Sequence, residues 1–185
     1  MKKVLLTLAC IFGFTSIYAQ SDEKVYVYGV DFSYVNVYAA EESVEQFAKA
    51  FEGINMLMIS EPEKYDFSRM FNKRTENVIE PMLKITAECD YSNMKSLSHT
   101  YAEVDYASKV MDYDLPQTEG VGAVLFAQIL DKPMGVASYQ LVVFDIATRS
   151  ILHSRKVSGK ARGFGLKNYW AGSIYKIIRS EKVYK

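Results

Sequence analysis

Apolar residues recur along this chain in two periods, and the alternation between them lays out the expected elements. Val25 and Val27 alternate with Tyr26 and Tyr28, so a strand within 24–38 is apolar on both faces. That suits an inner strand rather than one with a wetted face. Gly29 inside it predicts a bulge or a close backbone approach. Over 40–60, Val44, Phe47, Ala48, Phe51, Ile54 and Met58 return at three- and four-residue steps. This is the core stripe of an amphipathic helix. Glu41, Glu42 and Glu45 fall at its start, where the helix dipole favours acids, and Pro62 ends it. Val78, Ile79, Met82, Leu83 and Ile85 are apolar but Pro81 interrupts them, which predicts an edge strand or two short pieces. Residues 91–108 are polar with weak alternation.

From Gly120 the pattern becomes regular. An apolar run over 121–130, turn chemistry at 131–135, a strand at 138–145, a short connection at 147–149 and a strand at 151–158 follow one another. Leu152, Ser154, Lys156 and Ser158 give the last strand a mostly polar side, which suits an edge. Short connections between consecutive strands predict antiparallel pairing. Leu166, Tyr169, Trp170, Ser173, Ile174, Ile177 and Ile178 then lie along one side of a closing helix, away from Lys167, Lys176 and Arg179. The expected fold is therefore one α+β domain over 20–185. Its sheet is mainly antiparallel, with a C-terminal three-strand meander and two amphipathic helices packed against it.

The first 19 residues stand apart from this pattern. Met1-Lys2-Lys3 is cationic, 4–17 is apolar or small, and Ala19 precedes Gln20, which is the form of a secretory signal peptide. The apolar run is shorter than the roughly 20 residues that a bilayer core requires. Thr7-Leu8-Ala9 precedes Cys10 without Leu three positions back, so lipid anchoring is not expected. No later run is long enough to span a membrane. These features place the chain in the periplasm or outside the cell. Cleavage leaves Cys89 alone, so no intramolecular disulfide is available. A hydrophobic share of 49% supports a core, and 14 Tyr with 10 Phe suit either a sheet interior or a contact surface.

Charge adds an asymmetry that the formal net charge of zero conceals. Residues 20–148 hold 10 basic and 21 acidic side chains, whereas 149–185 hold 10 basic and a single acid, Glu181. Two readings fit: the basic third folds onto the acidic remainder, or it meets an anionic partner.

Few motifs carry chemistry. Cys89 could be paired with His99 or His153, but Glu88 and Asp90 flank it and oppose thiolate formation. Two histidines and one cysteine do not make a structural zinc set. Asp112 and Asp114 lack the rest of a calcium loop, and no Gly-x-Ser-x-Gly elbow occurs. The segment 159–165, Gly-Lys-Ala-Arg-Gly-Phe-Gly, is neither a Walker A loop nor a dinucleotide fingerprint. It does lead two cations into a helix start, where unpaired amides favour anions. Lys160, Arg162, Gly163, Gly165 and Lys167 are the candidate binding residues. The competing reading is a plain corner between an edge strand and its covering helix.

The segment 139–152, YQLVVFDIATRSIL, is similar to a hairpin of the TolB N-terminal domain and of CsgG-like periplasmic proteins. In those families a strand ends in Asp, turns at Ala-Thr-Gly and resumes in apolar residues; Arg149 stands here in place of the Gly. The whole chain also resembles small secreted proteins of Bacteroidetes. The resemblance implies an envelope protein that works by contact, with no catalytic residues to carry over. The expected function is accordingly non-catalytic contact with an envelope protein or an anionic envelope component. The alternative is a module for a small anionic ligand at 159–167, and an enzyme ranks third. No cofactor, metal or nucleic acid is expected. A contiguous exposed tyrosine patch would favour protein contact; converging titratable groups in a deep pocket would favour an enzyme.

Overall fold

The computed structural model describes residues 24–184; the expected signal peptide over 1–19, Cys10 included, lies outside the described residues. In chain order the elements are β1 (Val25–Asp31), β2 (Asn36–Tyr38), α1 (Val44–Ser60), α2 (Ser68–Phe71), β3 (Thr75–Asn77), α3 (Glu80–Glu88), β4 (Lys95–Ser96), α4 (Tyr106–Met111), β5 (Val121–Asp131), β6 (Val136–Asp145), β7 (Ile151–Lys160) and α5 (Leu166–Ser180).

All seven strands join one sheet, centred on β5. Along one edge of β5, Val121 to Phe126 face β1 and Ile129 to Asp131 face β2, both in parallel. β1 and β2 are thus two lengths of one broken strand, interrupted at 32–35. Outside them, β3 pairs with β1 and β4 with β2, again in parallel. The other edge of β5 pairs antiparallel with β6, and β6 with β7.

This corrects the expected fold class. Four of the six pairings are parallel, so the sheet is mainly parallel and the fold is α/β, not α+β with a mainly antiparallel sheet. Antiparallel pairing is confined to β5–β6–β7 and does not define the sheet. The physical reason is the long excursion between β1 and β5. It carries four helices, and crossovers of that size return the chain in the same direction. Five helices are present among the described residues, not two.

Pro81 marks one of the missed helices. It occupies the first turn of α3, where a missing N–H costs nothing, instead of interrupting a strand. The start of α1 is also later than the 40–60 periodicity suggests. Ser43 and Gln46 form a reciprocal capping box, so Glu41 and Glu42 precede the helix. Glu42 pairs with Lys132 instead.

Side chains on β5 alternate between two buried clusters. Val121, Ala123, Leu125 and Ala127 face α1 and α5, whose Phe51, Ile54, Trp170 and Ile174 complete the larger core. Val124 and Phe126 face the smaller cluster with Tyr28, Met82, Val110, Tyr113 and Phe144. Both faces of β5 are therefore dry, as parallel sheets require. Five of the 14 tyrosines are buried in these two clusters: Tyr28, Tyr65, Tyr91, Tyr113 and Tyr139.

β1 carries a bulge at Gly29, where the register against β5 shifts between Val27 and Val30. Past the bulge Val30 is in register with Leu125 of β5, whereas the β3 ladder has ended at Val27. Asn55 of α1, fully buried, accepts from Val30 N–H at 2.8 Å and donates to Val30 C=O at 2.9 Å. Gly29 sits at φ +97°, and a Cβ there would lie 2.6 Å from the Asn55 Oδ1. Only glycine meets both conditions.

Candidate functional site

The corner between β7 and α5 follows from backbone packing. β7 pairs only with β6, and its exposed residues alternate along the free face. At Gly159 its end turns onto α5 with no room for a side chain. A Cβ on Gly159 would strike the Ser173 carbonyl, and one on Gly172 would strike the Arg162 carbonyl. The strand end and the helix are thus in backbone contact. Ala161 N–H donates to Gly135 C=O at 2.7 Å, and Arg162 N–H donates to Tyr169 C=O at 3.0 Å. The Asn168 amide donates to Phe164 C=O at 3.2 Å. The glycines of 159–165 that looked like a ligand loop therefore serve first to seat a strand on a helix.

That seating opens a cleft of about 590 Å³ at the corner, lined by Lys160, Ala161, Arg162, Gly163, Asn168, Gly172, Tyr175 and Lys176, with Lys64 across it. No Asp or Glu lines it. Among the described residues, Lys160, Arg162 and Lys176 have no ion-pair partner. Lys64 bonds to Glu61 at 2.7 Å, and that carboxylate, more than any other neighbour, raises its ammonium above the ordinary value. The floor is largely apolar, supplied by Ala161, Gly172 and the Tyr175 ring. Such a cleft can receive a negatively charged group and hold an apolar portion beside it.

Three of the expected residues, Lys160, Arg162 and Gly163, meet in this cleft. Gly165 is the N-cap of α5, at φ 77°, outside the lining. Lys167 lies apart from them: it borders a second, more open cleft with Gln46, Lys49 and Met56, and its methylenes press on Gly53. The sequence reading missed Lys64, Asn168 and Tyr175. Lys64 is distant in sequence and carries no local signal, but Asn168 and Tyr175 could have been found from their helical register with Gly172.

Other chemistry-bearing groups are separate from this cleft. Asp31, at the carboxyl end of β1, is 3% exposed; it accepts from Tyr113 Oη at 2.7 Å and from Ser33 N–H at 2.8 Å. Burial, with Asp31 adding to it, holds the Tyr113 hydroxyl protonated well above its ordinary range. Burial also pushes the Cys89 thiol up, away from thiolate chemistry. His99 Nε2 lies 3.0 Å from Asp131, with the ring edge-on to Tyr38 and Tyr101. Among the described residues no three His, Cys, Asp or Glu side chains are grouped to hold a metal, and no helix is long and apolar enough to cross a membrane. Comparison with protein-family models, curated proteins and solved structures finds no match for this chain.

Proposed function

We propose that this chain is a non-catalytic envelope or secreted protein that acts by contact, and that the contact is made through an anionic group held in the β7–α5 cleft. One observation carries the reading: Lys160, Arg162 and Lys176, none of them in an ion pair among the described residues, surround a cleft without an acid in its lining. A fold gains little from surface cations left unpaired, whereas an arriving anion gains charge-assisted hydrogen bonds from each. Contact with a protein through exposed tyrosines has less support, since Tyr101 is the one tyrosine among the large exposed apolar residues described.

The test is calorimetric titration of the purified chain with inorganic phosphate, sulfate and a short-chain alkyl phosphate. Saturable binding by wild-type protein is expected, with at least about tenfold loss in Lys160→Ala/Arg162→Ala, since each charge-assisted contact contributes about 1.5–3 kcal/mol. Equal binding by the double variant sinks the reading.

A further inference from the structure

Phe164 is 95% exposed, at the tip of the corner that forms the cleft. A fully exposed benzyl group forgoes the stabilisation that burial of a phenylalanine normally provides. Among the described residues no ring contact involves it, yet the segment that carries it is held by hydrogen bonds. Residues on both sides are pinned: Ala161 to Gly135, Arg162 to Tyr169, Tyr169 N–H to Gly165 C=O at 2.9 Å, and the Phe164 carbonyl itself to Asn168. The ring is therefore held outward by a stiff support.

Its surroundings have a consistent chemistry. The β5–β6 turn meets the same corner through Gly135, which lies against the Tyr169 hydroxyl, and its Met134 is 70% exposed. Lys160 and Arg162 precede the ring in the chain and Lys167 follows it. From residue 159 to residue 180 the chain contains no Asp or Glu. An exposed aromatic tip, an exposed methionine on the turn bonded to the same corner, and the cations Lys160 and Arg162 without ion-pair partners match a surface with an apolar interior under anionic headgroups. The ring and the Met134 side chain can enter the acyl boundary while the longer cationic chains reach back to phosphates.

We infer that this corner docks on an anionic lipid bilayer, with Phe164 inserted at the interface and the cleft cations Lys160 and Arg162 on lipid phosphates. The inference rests on the cleft being an anion site and names a lipid headgroup as the anion.

Co-sedimentation with vesicles tests it, using the purified chain, equimolar phosphatidylglycerol and phosphatidylcholine, and pure phosphatidylcholine as control. Wild-type protein is expected to pellet with the anionic vesicles, not with the neutral ones, and to be released by salt. Phe164→Ala should weaken binding about tenfold through loss of the inserted ring. Lys160→Ala/Arg162→Ala should weaken it about fivefold per cation removed. Thermal unfolding should be unchanged in Phe164→Ala, because the residue is 95% exposed.

Three results overturn the docking. In one, wild-type protein stays in the supernatant with every vesicle. In another, it binds neutral and anionic vesicles alike. In the third, Phe164→Ala pellets as wild type does, leaving electrostatic adsorption alone. If the alkyl phosphate or inorganic phosphate still titrates in any of these cases, the cleft reading survives and only the bilayer is excluded. Loss of both would remove the cleft reading too.

Discussion

Two polar regions of this molecule are built in opposite ways. At the break between β1 and β2, the carboxylate of Asp31 is buried and answered from within, by the Tyr113 hydroxyl and the Ser33 amide. At the β7–α5 corner, Lys160, Arg162 and Lys176 are solvated and answered by no acid of the described chain. A buried charge must be satisfied for the fold to persist, and the cost of leaving it unsatisfied is large. A surface charge can remain open at almost no cost. The first arrangement therefore reads as architecture and the second as capacity for a partner, although both contain a glycine-bearing or loop-borne turn beside a strand end.

The sharpest way to break the contrast is to attack the corner's backbone instead of its charges. Gly159→Val should destabilise the protein by about 3 kcal/mol or more, because the side chain is driven into the Ser173 carbonyl. Denaturant unfolding would register it; a wild-type midpoint would show that α5 is not seated on β7. Next in size, Asp31→Ala strands the Tyr113 hydroxyl in the smaller core and should cost about 2 kcal/mol by the same measurement.

Alkaline titration probes the same internal side. Burial raises Tyr113 and Tyr139 above the ordinary tyrosine value of 10.0. Both stay protonated in the folded chain while the unfolded chain ionises, so these two groups leave stability unaffected below pH 10 and lower it above. Each tyrosine steepens the fall by about 1.4 kcal/mol per pH unit until it ionises in place. Stability that stays level well above pH 10 would contradict their burial. The smallest effect belongs to the open side: Lys160→Ala/Arg162→Ala should leave stability within about 0.5 kcal/mol of wild type. A larger loss would mean that these cations are structural after all.

Much of the element pattern was legible. The periodicity over 44–58 located α1, the apolar run over 121–130 and the turn-bounded strands after it located β5, β6 and β7, and the polar side of 152–158 marked β7 as an edge. Strand direction was not legible. The apolar run of β5 looks the same whether its neighbours run with it or against it, and its parallel partners Val25 and Val37 lie far back in the chain. The short turns after β5 expressed antiparallel pairing, and that local signal outweighed the distant one. Pro81 misled for a related reason, since a helix start and a strand interruption share a residue type. At the candidate site, Lys160 and Arg162 announced themselves by lying beside glycines, but those glycines answered to Ser173 and Asn168, not to a ligand. Lys64 reaches the cleft only through the packing of elements around α5, which no local window contains.

The broken strand has a consequence for the order in which the chain can become a protein. β1–β3 and β2–β4 are two separate ladders, and β5 is the rod to which both are fastened. During synthesis everything before Val121 emerges first, and until β5 follows there is no template to align the two ladders end to end. The N-terminal two-thirds must wait, loosely structured, for the strand that completes them. A ribosome-bound chain stalled before β5 should remain protease-sensitive throughout, and one stalled after β6 has cleared the exit tunnel should acquire protection in both ladders together.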